Sequence, residues 1–137
     1  MDVYEKIKES RNTLSPFCQR LGIVVEELRE GYARVTKTVG PEDLNPVGVP
    51  HGGVYFSMAD TASGSAMASH GYLAVTVNAD YNFLRSAQLG DVLTARVDES
   101  RRQAIMLRNF VKRQEPTAFI MITNSSEIIG KGFRGYN

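Results

Sequence analysis

Only one cysteine, Cys18, occurs in the 137 residues of the chain. A single thiol excludes an internal disulfide and argues against a metal site built on cysteine ligands. Long apolar runs are missing too, because no segment approaches the roughly 18 residues that span a bilayer. The segment MDVYEKIKES carries charges where an export signal needs an apolar stretch. We therefore expect a cytoplasmic protein with no membrane partner.

An excess of charge of either sign is also absent. Lys and Arg together number 16 and Asp and Glu 15, which leaves a net charge of +1. A nucleic-acid-binding domain normally carries a clear basic excess, so we expect no nucleic-acid partner. An apolar share of 42% is typical of a soluble protein, and the length suits a single domain over residues 1–137.

Several signatures of catalysis and cofactor binding are missing from the sequence. It contains no G-x-S-x-G, no phosphate-binding G-x-x-x-x-G-K-[ST] loop and no G-x-G-x-x-G. The two histidines, His51 and His70, are 19 residues apart with no cysteine between them, so they do not form a paired metal-ligand motif. We therefore expect no metal and no cofactor.

The first third of the sequence predicts a short helix and a β-hairpin. Apolar positions separated by charged residues favour a surface helix over residues 2–13, which stops near Ser15-Pro16. The runs GIVVEELREG and YARVTKTV are rich in valine, tyrosine and threonine, and a turn signal at Glu30-Gly31 separates them. We interpret the two runs as antiparallel strands.

The middle of the chain predicts a long buried helix. Proline and turn dipeptides are absent from Val54 to about Ser69. Apolar or small residues recur at spacings of three and four, which places them on one helical face: Val54, Met58, Ala62, Ala66 and Ser69. Gly64 and several serines lower the intrinsic helix propensity, so packing against a sheet must hold this helix.

Four more strands are predicted after the helix. In LAVTVNADYNFL, residues 73–84, apolar and polar side chains alternate as they do in a long strand with one apolar face. The runs VLTARV, AIMLRNFVK and TAFIMITNSSEII predict three others. The order of elements indicates an α+β fold, in which a long central helix packs on a six-stranded antiparallel sheet and a short N-terminal helix precedes both.

The segment before the central helix is a candidate site. Residues 41–53 hold three prolines and three glycines, and a loop of this length is usually functional. Gly52 and Gly53 leave backbone N–H groups at the helix start open to an oxyanion or a polarised carbonyl. The glycines could equally serve only a tight turn. His51 could donate to a ligand or cap the helix locally.

Asp60 is the one carboxylate in this apolar helix. Such a residue is a candidate general base, unless it lies on a solvated helix face.

Asn45 is either a plain turn residue or a donor to a carbonyl near the helix start. Thr76 and Asn78 share the polar face of the following strand, where they either meet solvent or orient a water molecule. Basic residues near strand ends could meet a phosphorylated ligand or be ordinary surface charge: Arg85, Arg101, Arg102, Lys112, Arg113, Lys131 and Arg134.

The segment NPVGVPHGG, followed by ADT and by VTVNADYNFLRSAQLGD, resembles the PaaI-like acyl-CoA thioesterases of the hotdog-fold superfamily. The resemblance extends over about residues 20–130. It implies a hotdog fold, in which the sheet wraps the long helix, and hydrolysis of an acyl-CoA or aroyl-CoA thioester to the free acid and CoA. It also implies a homodimer, or a homotetramer made of two dimers, with active sites shared between chains.

The resemblance assigns roles to particular residues. The implied catalytic set is Asn45, Gly53, Asp60 and Thr76, with His51 beside them, and the residues themselves add Gly52, Asn78 and Arg85, so that the expected substrate-binding set is His51, Gly52, Asn78 and Arg85. Asn45 and the Gly53 N–H polarise the thioester carbonyl. Asp60 is the general base or the nucleophile, and Thr76 helps to hold the water. Several relatives carry a hydroxyl one turn after the acid, where this chain has Gly64, so the water depends on Thr76 or Asn78.

Two other functions fit parts of the same pattern. A non-catalytic acyl-CoA sensor would retain the pocket, but intact Asp60 and Asn45 favour an enzyme. A hotdog dehydratase or hydratase needs a histidine and an acid close together, whereas His51 and Asp60 lie about two helical turns apart. Thioester hydrolysis is therefore the primary hypothesis.

Overall fold

The computed structural model describes residues 1–76, 79–98 and 127–130. Its helices are α1 (Val3–Thr13), α2 (Pro16–Leu21) and α3 (Gly52–Ser69), with a 3-10 turn at Pro41–Asp43. Its strands are β1 (Val24–Arg29), β2 (Tyr32–Thr38), β3 (Val92–Asp98) and β4 (Glu127–Gly130). These strands form one antiparallel sheet in the order β1-β2-β3-β4, and α3 packs on one face of it. A long helix on an antiparallel sheet is the α+β arrangement that the sequence predicted.

Two helices precede the sheet, where the sequence predicted one. The predicted surface helix is confirmed as α1. A second helix, α2, follows because Ser15 caps it by accepting a hydrogen bond from the Cys18 N–H at 3.4 Å, and because Pro16 suits the first helical position. Gly22 ends α2 with a φ of 68°. The Ser-Pro dipeptide that stops the first helix therefore also starts the next one.

The predicted hairpin is confirmed, with a bulge that was not predicted. β1 pairs with β2, and the register shifts between Val25 and Glu27 so that Glu26 has no cross-strand partner. Val25 and Leu28 are three residues apart and would face opposite sides of a regular strand. The bulge turns both side chains inward, where they are 2% and 7% exposed.

The predicted buried face of α3 is confirmed at four of its five positions. The inward side chains are Val54, Met58, Ala62 and Ala66, all at most 6% exposed. They pack on the inner face of β2 and β3, which presents Ala33, Val35, Leu93 and Ala95. The fifth position, Ser69, is only half-buried and instead donates to the Ala66 carbonyl and accepts the Gly31 N–H. Small side chains on both surfaces let the helix lie close to the sheet.

The long strand predicted over residues 73–84 is not found in the described part of that segment. Residues 72–76 and 79–88 belong to no strand, and they follow the face of α3 that points away from the sheet. Exposed and half-buried side chains still alternate along most of this segment, but before residue 77 two large apolar side chains face outward. Leu73 and Val75 are 87% and 66% exposed, whereas Thr76 turns toward the helix. Alternating side chains predict an extended segment with two different faces, but they do not predict that another strand pairs with it.

The remaining strands are only partly described. VLTARV forms β3 as predicted, and the end of TAFIMITNSSEII forms β4. AIMLRNFVK and residues 117–126 lie outside the described residues, so the six-stranded sheet stays a prediction. In the part of the chain that the structure describes, no helix is both long and apolar enough to cross a bilayer.

Candidate functional site

The connection from β2 to α3 is closed at its base by a backbone hydrogen bond. The His51 N–H donates to the Asp43 carbonyl at 2.8 Å. Inside this closure the Asn45 N–H donates to the Val49 carbonyl, also at 2.8 Å. We call residues 43–51 the site loop. These two hydrogen bonds hold Asn45 in a fixed position relative to the first turn of α3.

Only the oxygen of the Asn45 side-chain amide is hydrogen-bonded within the loop. Its Oδ1 accepts the N–H groups of Val47 at 3.1 Å and Val49 at 3.2 Å, which fixes the orientation of the amide. Its Nδ2 has no hydrogen-bond partner among the described residues. Asn45 therefore has the turn-forming role that the sequence analysis considered for it. The free NH₂ remains available to a ligand oxygen, and Pro46 follows directly.

His51 caps α3, which is the local role considered for it. Its Nδ1 accepts the Gly53 N–H at 2.8 Å, so the neutral ring carries its proton on Nε2. A Cβ at position 53 would lie 3.0 Å from that Nδ1, so a larger residue would crowd the capping ring. A Cβ at position 52 would meet the Phe83 ring at 3.5 Å, an ordinary contact. The Gly53 N–H is therefore engaged by His51 in this structure.

Asp60 lies on the opposite face of α3 from the core and is half-buried. The Thr76 hydroxyl donates a hydrogen bond to its Oδ1. No bond to Oδ2 occurs within the described ranges. We call the chain after α3, residues 72–76 and 79–88, the covering segment. It places the Thr76 hydroxyl beside Asp60, the two residues that the sequence proposed as hydroxyl and acid. It leaves one carboxylate oxygen open.

Tyr81 also belongs to this group, although nothing in the sequence indicated that it lies near Asp60. Its ring lies 4.4 Å from that of Phe56, which is one helical turn before Asp60. Burial raises the pKa of the Tyr81 hydroxyl, and the negative charge of Asp60 raises it further. The proximity is a tertiary contact between the covering segment and α3, so no local sequence signal could have found it.

The remaining candidate residues are either exposed or outside the described residues. Arg85 is exposed on the segment that follows Tyr81. Asn78 lies outside the described residues, as do Arg101, Arg102, Lys112, Arg113, Lys131 and Arg134. Across residues 1–76, 79–98 and 127–130, no cluster of three or more His, Cys, Asp or Glu side chains could hold a metal ion.

The candidate residues form two groups in one chain. Asn45, His51 and Gly53 lie at the N-terminus of α3, and Asp60 with Thr76 lies further along it. Gly53 and Asp60 are seven residues apart, which is about 10 Å along the axis at 1.5 Å per residue. A general base acts over about 2.6–3.2 Å, or through one water. The two groups of a single chain therefore lie further apart than one general-base contact spans.

Comparison with known proteins yields one family and several similar proteins. The sequence profile described as the thioesterase superfamily matches residues 47–119. An Escherichia coli protein named acyl-coenzyme A thioesterase PaaI is 35% identical over 113 residues, which cover 80% of this chain and 81% of that protein. A relative from Archaeoglobus fulgidus, named only by inference as an esterase, is 35% identical over 95 residues. The match covers 69% of this chain and 62% of the length of that relative.

Solved structures give the same result. The E. coli PaaI structure superposes with a TM-score of 0.64 at 33% identity, covering 73% of this chain and 77% of the other. A Streptococcus mutans protein solved with acetyl-CoA bound superposes with a TM-score of 0.53 at 34% identity, covering 58% of this chain and 66% of the other.

The electrostatic influence of Asp60 on Tyr81 can be tested by titration. We expect Asp60→Asn to lower the pKa of Tyr81 only part of the way to its ordinary value, because the charge is removed and the burial remains. The measurement is the pH dependence of the tyrosine ring carbons by NMR, with Tyr81→Phe identifying the signal. Asp80→Asn, at an exposed neighbouring carboxylate, is the matched control. An unchanged Tyr81 pKa in Asp60→Asn would contradict the described site.

Proposed function

The chain belongs to the thioesterase superfamily, and from that premise we propose that it hydrolyses an acyl-CoA or aroyl-CoA thioester to the free acid and CoA. The E. coli relative named as an acyl-coenzyme A thioesterase and the similar structure with acetyl-CoA bound support CoA as the carrier. The observation that carries the proposal is the half-buried Asp60, hydrogen-bonded by Thr76.

In the proposed mechanism Asp60 acts as a general base. Its free oxygen takes a proton from a water molecule while the water oxygen attacks the thioester carbonyl carbon. When the tetrahedral intermediate collapses, the carbon–sulfur bond breaks and the proton on Asp60 passes to the departing CoA sulfur. Thr76 holds the other carboxylate oxygen and so keeps the base in one rotamer. Direct attack by Asp60, through an anhydride that water then cleaves, uses the same contacts.

The carbonyl oxygen requires donors that strengthen as negative charge develops on it. Asn45 Nδ2 and the Gly53 N–H are the donors that we propose, and the positive end of the α3 dipole supports them. Asn45 is already oriented by its bonds to the loop. Gly53 becomes available when His51 Nδ1 releases it, so we propose that substrate entry displaces the His51 ring.

We further propose that each active site combines two chains. The separation of about 10 Å along α3 keeps Gly53 and Asp60 of one chain from sharing a substrate. A second α3, packed antiparallel across a two-fold axis, would bring its Asp60 beside the first Gly53. An isologous dimer would then contain two such sites, and two dimers could assemble into a tetramer.

The role of Asp60 predicts a large loss of turnover in Asp60→Asn. The amide keeps the shape of the side chain and removes the base, so kcat should fall roughly 10²–10⁴-fold with little change in KM. The assay is release of free CoA thiol from a panel of acyl- and aroyl-CoA thioesters. Asp80→Asn should retain wild-type kinetics. An Asp60→Asn enzyme within a few-fold of wild type would remove Asp60 from the mechanism.

Asn45→Asp separates the two functions of the Asn45 amide. The carboxylate can still accept the N–H groups of Val47 and Val49, but it has no NH₂ to donate. We expect kcat to fall on the order of 10²-fold or more, as for loss of one oxyanion donor, while thermal unfolding changes little. A loss confined to KM would instead indicate a role in substrate binding alone.

The shared site predicts complementation between two inactive variants. Asp60→Ala and Asn45→Ala chains should each be nearly inactive, because each homodimer lacks one group at both sites. After co-refolding, random pairing makes about half of the dimers mixed, and each mixed dimer has one intact site, so about a quarter of wild-type activity should return. Native mass spectrometry counts the mixed dimers. Mixed dimers without activity, or hydrolysis by a monomer, would exclude the shared site.

A further inference from the structure

A buried ion pair lies beneath the site loop, and the proposed chemistry does not use it. Lys37 belongs to β2, where alternation puts it on the same inner face as Ala33 and Val35. Its side chain is 3% exposed and that of Asp43 is 6% exposed, and Nζ lies 2.9 Å from Asp43 Oδ2. A lysine on the apolar side of a sheet is unusual and calls for a specific role.

The pair connects three separate pieces of backbone. Lys37 Nζ also donates to the carbonyl of Leu21, the last residue of α2. Asp43 Oδ2 also accepts the Gly40 N–H at 2.8 Å, across the 3-10 turn. The end of α2, the end of β2 and the start of the site loop are therefore fixed to one another through two side chains.

Fold stability alone is a weak reason to keep such a pair. Removing two charges from water costs free energy that their mutual attraction often does not recover, and apolar replacements of similar volume are often no less stable. A buried pair can instead fix one arrangement among several. In this chain the arrangement that it fixes is the base of the site loop, because the Asp43 carbonyl is the acceptor of the His51 N–H.

We propose that Lys37 and Asp43 are positioning residues, which hold the site loop so that the Asn45 NH₂ and the capped start of α3 keep a fixed relation. The effect runs from the ion pair to the Asp43 backbone, from there to His51, and through the closed loop to Asn45. Neither residue touches the substrate. The catalytic consequence rests on the proposed function, whereas the effect on the loop does not.

The loop effect is tested by amide hydrogen exchange in Lys37→Met/Asp43→Asn. Both charges are removed without leaving either one unpaired, and the amide that replaces the Asp43 carboxylate can still accept the Gly40 N–H. We expect the amides of Val47, Val49 and His51 to exchange at least about tenfold faster, since their acceptors lie in a loosened loop. The cross-strand neighbours Val35 and Ala95 should change less than about twofold. Equal protection of the loop amides in the variant and the wild type would overturn the proposal.

The matched control removes an ion pair of the same charge types from the surface. Lys8 and Glu5 are 2.7 Å apart on α1, and their side chains are 25% and 51% exposed. Lys8→Met/Glu5→Gln should leave exchange at the site loop unchanged. Should the buried double variant fail to fold, Lys37→Gln/Asp43→Asn is measured against the same criteria, because it also removes both charges and keeps a polar donor at position 37 and an acceptor for the Gly40 N–H at position 43.

Kinetics test whether the pair acts through Asn45. In the otherwise wild-type chain, the buried double variant should lower kcat about tenfold or more and change KM less than about threefold. In an Asn45→Ala background it should lower kcat less than about threefold, since the group that it positions is gone. An equal loss in both backgrounds would overturn the assignment. If the wild type hydrolyses no thioester, the proposed function fails, and hydrogen exchange still decides whether the pair positions the loop.

Discussion

Close packing between α3 and the sheet is the constraint on which the rest of the structure depends. Met58, Ala62 and Ala66 are fully buried against strands whose own inner side chains include alanines. Burying Met58 alone contributes about 1.5–3 kcal/mol. Once this face is committed to the core, the rotation of the helix about its axis is fixed. Asp60 must then lie on the far side, where the chain after α3 covers it.

The same packing explains what could be predicted from the sequence. The buried face of α3 follows from spacings of three and four, and the hairpin follows from two β-rich runs around Glu30-Gly31, because both signals are local. The bulge at Glu26 was not predicted, although the spacing of three between Val25 and Leu28 is compatible with one. Residues 73–84 were assigned as a strand because their alternation is regular. Whether such a strip joins a sheet or lies on a helix depends on neighbours that the alternation does not specify.

The candidate site divides in a similar way. Asp60 could be selected from the sequence because a carboxylate among apolar residues is conspicuous. A family resemblance gave catalytic roles to Asn45 and Thr76, for which the residues alone left two interpretations open. Capping by His51 was one of two roles considered, and the choice between them depends on a ring rotamer that the sequence does not specify. The electrostatic influence of Asp60 on Tyr81 could not be predicted, because the two residues are 21 positions apart. Side-chain types were readable from the sequence, and their hydrogen-bond partners were not.

The residue after Asn45 has a consequence for the chemical lifetime of the protein. Asparagine loses its amide nitrogen with age mainly when the backbone nitrogen of the next residue attacks the side-chain carbonyl and closes a five-membered ring. Pro46 has no N–H with which to form that ring. The amide that carries the one unengaged NH₂ of the site loop is therefore protected from this route of decay. A proline that shapes the loop also preserves the chemical identity of the residue before it.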